Sequence, residues 1–102
     1  MTVIIDPSAA RAAGDALTPA QRALVREWTD YCHDAQLRRV ALIIDHDPTR
    51  WIGRWGCEPR TRPWVVKFAS TLDVATSSKT LEGALRLAAK LSKARLTTTT
   101  GA

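Results

Sequence analysis

The chain has 102 residues, 45% of them hydrophobic, and a formal net charge of +5; compact domains cluster at about 100–150 residues, so this is the size of one domain with one core. Two cysteines are too few for the disulfide framework of a small secreted domain, and the longest apolar run, Val40 to Ile44, falls far short of the roughly 20 residues that span a bilayer. The N-terminal Met-Thr-Val-Ile-Ile-Asp-Pro has neither the basic nor the apolar region of a signal peptide, so a cytoplasmic protein is expected.

Val3-Ile4-Ile5 is a short β-branched run that reads as an edge strand. Asp6 and Pro7 then supply a cap and a first helical residue, and the Ala-rich stretch to Gly14 reads as a short helix or a loosely packed arm over residues 1–17. Thr18 and Gln21 form a capping box with Pro19 at the first helical position. Ala20, Leu24, Trp28, Tyr31 and Ala35 recur at helical spacing, opposite Arg22, Arg26, Thr29 and His33. This pattern predicts one amphipathic helix over 19–36, with Trp28 and Tyr31 as core anchors.

From Val40 to Ile44 both alternating sets are apolar, which predicts a strand buried on both faces, ended by the turn residues Asp45-His46-Asp47-Pro48. Residues 49–56 read as a strand with Trp51, Gly53 and Trp55 on one face and Arg54 on the other. Cys57 to Pro63 reads as a hairpin loop, and Trp64 to Ala69 as the returning strand, with Val65 and Lys67 opposite Trp64, Val66 and Phe68. Leu72, Val74 and Thr76 alternate as in a further short strand. Thr80 caps a second amphipathic helix with Leu81, Ala84, Leu85, Ala88 and Leu91 as its apolar stripe, and Gly83 in its first turn predicts close packing on the sheet. The segment 97–102 has nothing to bury and is expected to be a flexible tail. The fold class is therefore α+β, a single domain over 1–96: a two-layer sandwich of an antiparallel three- to four-stranded sheet with two amphipathic helices on one face.

Little in the chain points to catalysis. Cys32, His33, His46 and Cys57 lack the pairwise spacing of structural zinc sites, with Cys32 read as half-buried, and no metal or cofactor is expected. Asp45-His46-Asp47 resembles an acid/base cluster, but no nucleophile elbow or Gly-rich phosphate loop accompanies it. The expectation is a non-enzymatic protein.

Charge is more informative. Residues 50–95 carry ten basic side chains against three acids, a balance of +7, whereas residues 1–49 carry five against seven, or −2. The basic half also holds Trp51, Trp55 and Trp64. A concentrated positive field attracts polyanions or acidic protein surfaces. Aromatic side chains on a sheet stack bases, and flanking arginines contact phosphate. Alternatively, Trp51, Trp55, Trp64 and Phe68 form the core face of the sheet, leaving Arg54, Lys67, Arg60 and Arg62 on an open basic face.

Helix, three strands, helix is similar to the element order of double-stranded RNA-binding domains, and Ser77-Ser78-Lys79 before Ala84, Ala88 and Ala89 resembles their final helix; Thr80, Leu81 and Glu82 depart from it. Arg50 to Leu91 resembles the three-strand-plus-helix layout of AP2-like and phage-integrase arm-binding domains, which implies DNA reading by the sheet. Thr80-Leu81-Glu82-Gly83-Ala84-Leu85 resembles the final helix of HicB-type antitoxins. The resulting expectation is a nucleic-acid-binding protein, for DNA or RNA, with Arg50, Trp51, Arg54, Trp55, Arg60, Arg62, Lys67 and Lys79 as its binding residues. The alternative is a phage- or mobile-element-type accessory protein that binds an acidic surface of a host protein and modulates or inhibits it, since Trp and Arg are also the usual anchors of protein interfaces.

Overall fold

Thr2–Ile5 forms strand β1 and Ala41–His46 forms β2, paired in parallel from Thr2 opposite Ala41 to Ile5 opposite Ile44. The computed structural model describes residues 2–101, with side chains at all of these except Asp15, Tyr31, Cys32 and 94–101; the expected roles of Tyr31, Cys32 and the Arg95 charge thus lie outside the described residues. Strand β5 (Trp64–Phe68) runs antiparallel to β2, and β6 (Val74–Ser78) antiparallel to β5, giving a four-stranded sheet in the order β1-β2-β5-β6. The molecule is a small α+β fold with a mixed sheet, not the wholly antiparallel one expected. The difference arises at the N-terminus. A parallel neighbour requires a crossover of a dozen or more residues, and residues 6–40 provide one.

That crossover is not a single helix either. It contains α1 (Pro7–Ala13), α2 (Pro19–Arg22), α3 (Trp28–His33) and α4 (Ala35–Val40). The Thr18–Gln21 capping box is present, but the helix it starts ends at Arg22. Val25 then bridges Ile5 in parallel: the Ile5 N–H donates to the Leu24 carbonyl at 2.9 Å, and the Arg26 N–H donates to the Ile5 carbonyl at 3.3 Å. The outer edge of β1 would otherwise leave buried backbone groups unpaired. Satisfying them outweighs the helical periodicity of 19–36. Asp34 restarts the helix by accepting from the Leu37 N–H at 3.0 Å. Trp28 opens α3 and is 51% exposed, so it is not the core anchor its spacing predicts.

Ala41 to Ile44 is buried throughout, as double-sided patterning requires, but Val40, expected in the same run, ends α4 and is 51% exposed. Leu42, Ile44 and Val66 pack against Ala84 and Ala88 of α5 (Leu81–Gly101), with Trp64, Phe68, Leu81, Leu85 and Leu91 around them. Ile4, Ala41, Ile43 and Ala69 form a second cluster, against which Leu37 of α4 packs. Alternation along β2 puts Leu42 and Ile44 on one face and Ala41 and Ile43 on the other, so α5 and Leu37 of α4 pack on opposite faces of the sheet. Ile5, Ala9 and Leu17 make a third cluster, joined by Leu24, Val25, Trp64 and Leu81. α5 continues through the segment expected to be a flexible tail, whose side chains lie outside the described residues.

Gly83 sits where α5 meets the end of β6. A Cβ placed there would lie 2.0 Å from Ser78 Oγ and 3.2 Å from Ser78 Cβ. Gly83→Ala alone should therefore give none of the roughly 1 kcal/mol that alanine normally gains over glycine in a helix. Adding Ser78→Ala should release part of that gain, since Ser78 Cβ and Thr80 Oγ1 still lie 3.2 Å away. Chemical denaturation of the single and double variants measures both effects.

Candidate nucleic-acid interface

Thr49–Trp51 (β3) and Cys57–Pro59 (β4) form a separate antiparallel hairpin with Thr49 opposite Pro59, Arg50 opposite Glu58 and Trp51 opposite Cys57. A 3-10 turn at Gly53–Trp55 joins them. The reversal thus falls at 53–55, not in the 57–63 loop predicted from its prolines and arginines. Gly53 and Gly56 make it there: both have positive φ, 70° and 89°, a backbone region that a side chain disfavours. The Gly56 N–H donates back to the Gly53 carbonyl at 3.0 Å, and the Ile52 N–H to the Gly56 carbonyl at 2.8 Å.

This geometry answers whether the tryptophans are core or surface, and it divides them. Trp51 is 70% exposed and Trp55 78% exposed on the hairpin, while Trp64 and Phe68 pack in the core. Arg54 lies over the Trp55 ring, 5.7 Å from its centroid, a cation–π distance. At the foot of the hairpin, Arg50, Arg60, Arg62 and Ser77 line an open groove of about 400 Å³ together with Glu58, Pro59 and Thr61. Ser77 belongs to β6, so the groove runs between the hairpin and the edge of the main sheet. Lys79 follows Ser78, which pairs with Trp64, and Arg62 precedes Trp64 by two residues. Arg62 and Lys79 therefore flank the same end of the sheet.

Two of the four side chains expected on the open basic face, Arg60 and Lys67, are paired with the acids of the turn. Arg60 pairs with Asp47 at 3.2 Å, and its Nε donates to the Thr49 carbonyl at 3.1 Å. Lys67 pairs with Asp45 at 3.1 Å, half-buried on β5, and it shares no face with Arg54 on the hairpin turn. Arg50 pairs with Glu58 across the hairpin. Register explains the Lys67 pair. Asp45 is opposite Val65 and Ile43 is opposite Lys67, so Asp45 and Lys67 are diagonal neighbours on one face, within reach of a long side chain. Among the described residues, Arg54, Arg62 and Lys79 have no ion-pair partner.

The acids of the turn are equally committed. Asp45 Oδ1 accepts from the His46 N–H at 2.8 Å and from Ser8 Oγ at 3.2 Å, and the His46 ring rests against Trp64 with centroids 4.5 Å apart. Asp45 thus ties β2 to α1 and β5, while the Asp47 pair with Arg60 reaches the foot of the hairpin. Among the described residues no group of His, Cys, Asp and Glu is arranged to hold a metal ion, and no helix is long and apolar enough to cross a membrane. Sequence reasoning missed the cleft bounded by Ser8, Arg11 and Trp28, because Trp28 was placed inside by its helical spacing. No family model, curated protein or solved structure matches the chain.

Proposed function

We propose that this protein binds single-stranded nucleic acid, with Trp51 and Trp55 stacking bases and Arg54, Arg62 and Lys79 contacting the backbone. The observation that carries this reading is the hairpin itself: two tryptophans exposed at 70% and 78%, with Arg54 against one of them, beside an arginine-lined groove. Leaving an aromatic side chain in water forgoes about 1.5–3 kcal/mol of burial, so a pair of such residues marks a surface completed by a ligand. Single strands present unstacked π-faces to such residues, and each stacked base contributes about 1–3 kcal/mol. The hairpin pairs only with itself and stands beside the main sheet, an arrangement that suits entry between splayed bases.

Because Arg50 and Arg60 already carry acidic partners, the free cations are Arg54, Arg62 and Lys79. Phosphate contacts from these residues should give a log–log salt slope of about −2, at about 0.7 per contact for single strands. Electrophoretic shifts across single strands, duplex DNA and duplex RNA should favour single strands, and Arg62→Ala should flatten the slope by about 0.7. A much steeper slope, or preference for duplex, would contradict stacking as the main source of affinity.

The same ion pairs favour a second reading. A surface on which Glu58 and Asp47 neutralise two of the four arginines, Arg50 and Arg60, also suits a protein partner, with Trp51, Arg54 and Trp55 as anchors. This is the accessory-protein reading, in which the hairpin modulates a host protein. Capture of a partner from a lysate that survives nuclease treatment and is lost in Trp51→Ala would support it over nucleic acid.

A further inference from the structure

A second cleft lies on the acidic half of the chain, away from the hairpin residues. It is an open depression of about 480 Å³ lined by Asp6, Pro7, Ser8, Arg11, Glu27, Trp28 and Thr29, a volume within the roughly 300–1,000 Å³ of small-molecule sites. Its position is informative. β1 and β2 are parallel neighbours, and Asp6 and Pro7 leave the carboxyl end of β1 for α1. The start of α1 thus forms one side of the cleft.

The floor of the cleft is fixed. Asp6 Oδ1 accepts from the Ser8 N–H at 2.9 Å and from Ser8 Oγ, which also donates to Asp45 Oδ1 at 3.2 Å. Ala9 is wholly buried, so α1 is seated on the core and holds Ser8 and Arg11, three residues apart, on one outward face. Across from them, α3 begins with Trp28, half of whose surface remains in solvent. Arg11 and Glu27 both line the cleft, yet among the described residues neither has an ion-pair partner. The cleft therefore combines an aromatic wall, a guanidinium and two carboxylates, Asp6 and Glu27. A ligand matching all of them has a flat ring, amino donors and an anionic substituent.

We infer that this cleft binds a nucleoside monophosphate, with the base stacked on Trp28, its amino edge directed to the carboxylates of Glu27 and Asp6, and its phosphate held by Arg11. Arg–phosphate hydrogen bonds are charge-assisted and bidentate. A plain organic cation would satisfy the ring and the carboxylates but leave Arg11 unused, and inorganic phosphate would leave Trp28 unused.

Isothermal titration of the full chain with AMP, adenosine, inorganic phosphate and tetramethylammonium tests this assignment. AMP should bind about tenfold more tightly than adenosine or phosphate, the difference expected of one hydrogen-bonded charge pair. Arg11→Ala should lower AMP to the adenosine level while leaving adenosine unchanged. Trp28→Phe should retain weakened binding of both, and Trp28→Ala should lose both with an unaltered circular dichroism spectrum. A Trp51→Ala/Trp55→Ala variant should bind AMP as the parent does, which separates this site from the hairpin. Absence of AMP binding at millimolar concentration, equal affinity for AMP and adenosine, preference for tetramethylammonium, or loss of AMP binding in the hairpin variant would each overturn it.

Discussion

Ile44→Ala should destabilise the fold by roughly 2–5 kcal/mol, the usual cost of truncating a large core side chain. Ile44 is fully buried in the central part of the sheet, paired with Ile5 on one side and Val66 on the other. Its side chain belongs to the cluster of Leu42, Val66, Ala84 and Ala88 that fastens α5 to the sheet. Small alanines on α5 bring the helix close to the sheet at this point, so truncating Ile44 opens a cavity between them. Total stability of a domain is about 5–15 kcal/mol, and each kcal/mol moves the midpoint of a domain of about 100 residues by about 4–8 °C. Thermal melts should therefore show a fall of at least about 8 °C, by the same conversion. Trp28→Ala serves as the contrast. Its half-exposed ring predicts a much smaller loss of stability, whereas its helical spacing alone predicts a large one.

The largest functional effect is expected at the hairpin tip. Replacing Trp51 and Trp55 together with alanine should weaken binding of a single strand by about 1–3 kcal/mol for each base that loses its stacking partner. The salt slope should change little, because no charge is removed. The fold should survive, since both rings stand in solvent and the core clusters contain neither. Arg54→Ala is the complementary variant: it removes a cation from the Trp55 ring and should reduce the slope by about 0.7. Fluorescence quenching by a single-stranded oligonucleotide, compared among the parent and these variants, measures the stacking contribution directly.

Elements whose environment is set by their own residues were legible in the sequence. Ala41 to Ile44 is apolar at every position and so had to be buried on both faces. Trp64, Val66 and Phe68 alternate with Val65 and Lys67, and the strand follows that alternation. Thr80 caps α5 by accepting from the Gly83 N–H at 3.1 Å, and the stripe from Leu81 to Leu91 packs on the sheet as its spacing requires. Elements decided by distant partners were not legible. Nothing local in Leu24-Val25-Arg26 announces that these residues leave a helix to close the edge of β1; that depends on Ile5. Parallel pairing of β1 depends on the path of the whole crossover.

At the candidate site, residue types were readable but their pairing was not. Clustered Arg and Trp drew attention to residues 50–62, and the hairpin concentrates Trp51, Arg54 and Trp55. Asp47–Arg60 and Asp45–Lys67 arise from register across β2 and β5 and from the path of the chain around Pro48 and Pro63. Summed charge overstates the positive surface for that reason. Glycine placement at 53 and 56 was the overlooked signal for the turn, because positive φ at both positions matters more there than the prolines downstream.

The most direct test of nucleic-acid binding by the hairpin is titration of the isotopically labelled protein with a single-stranded oligonucleotide at low ionic strength, following indole and backbone N–H signals. Binding at the hairpin shifts the Trp51 and Trp55 indoles and the signals of Arg54 and Arg62, and leaves the core Trp64 indole unmoved. An unchanged spectrum from folded protein, or shifts confined to residues outside the hairpin and its groove, would contradict it.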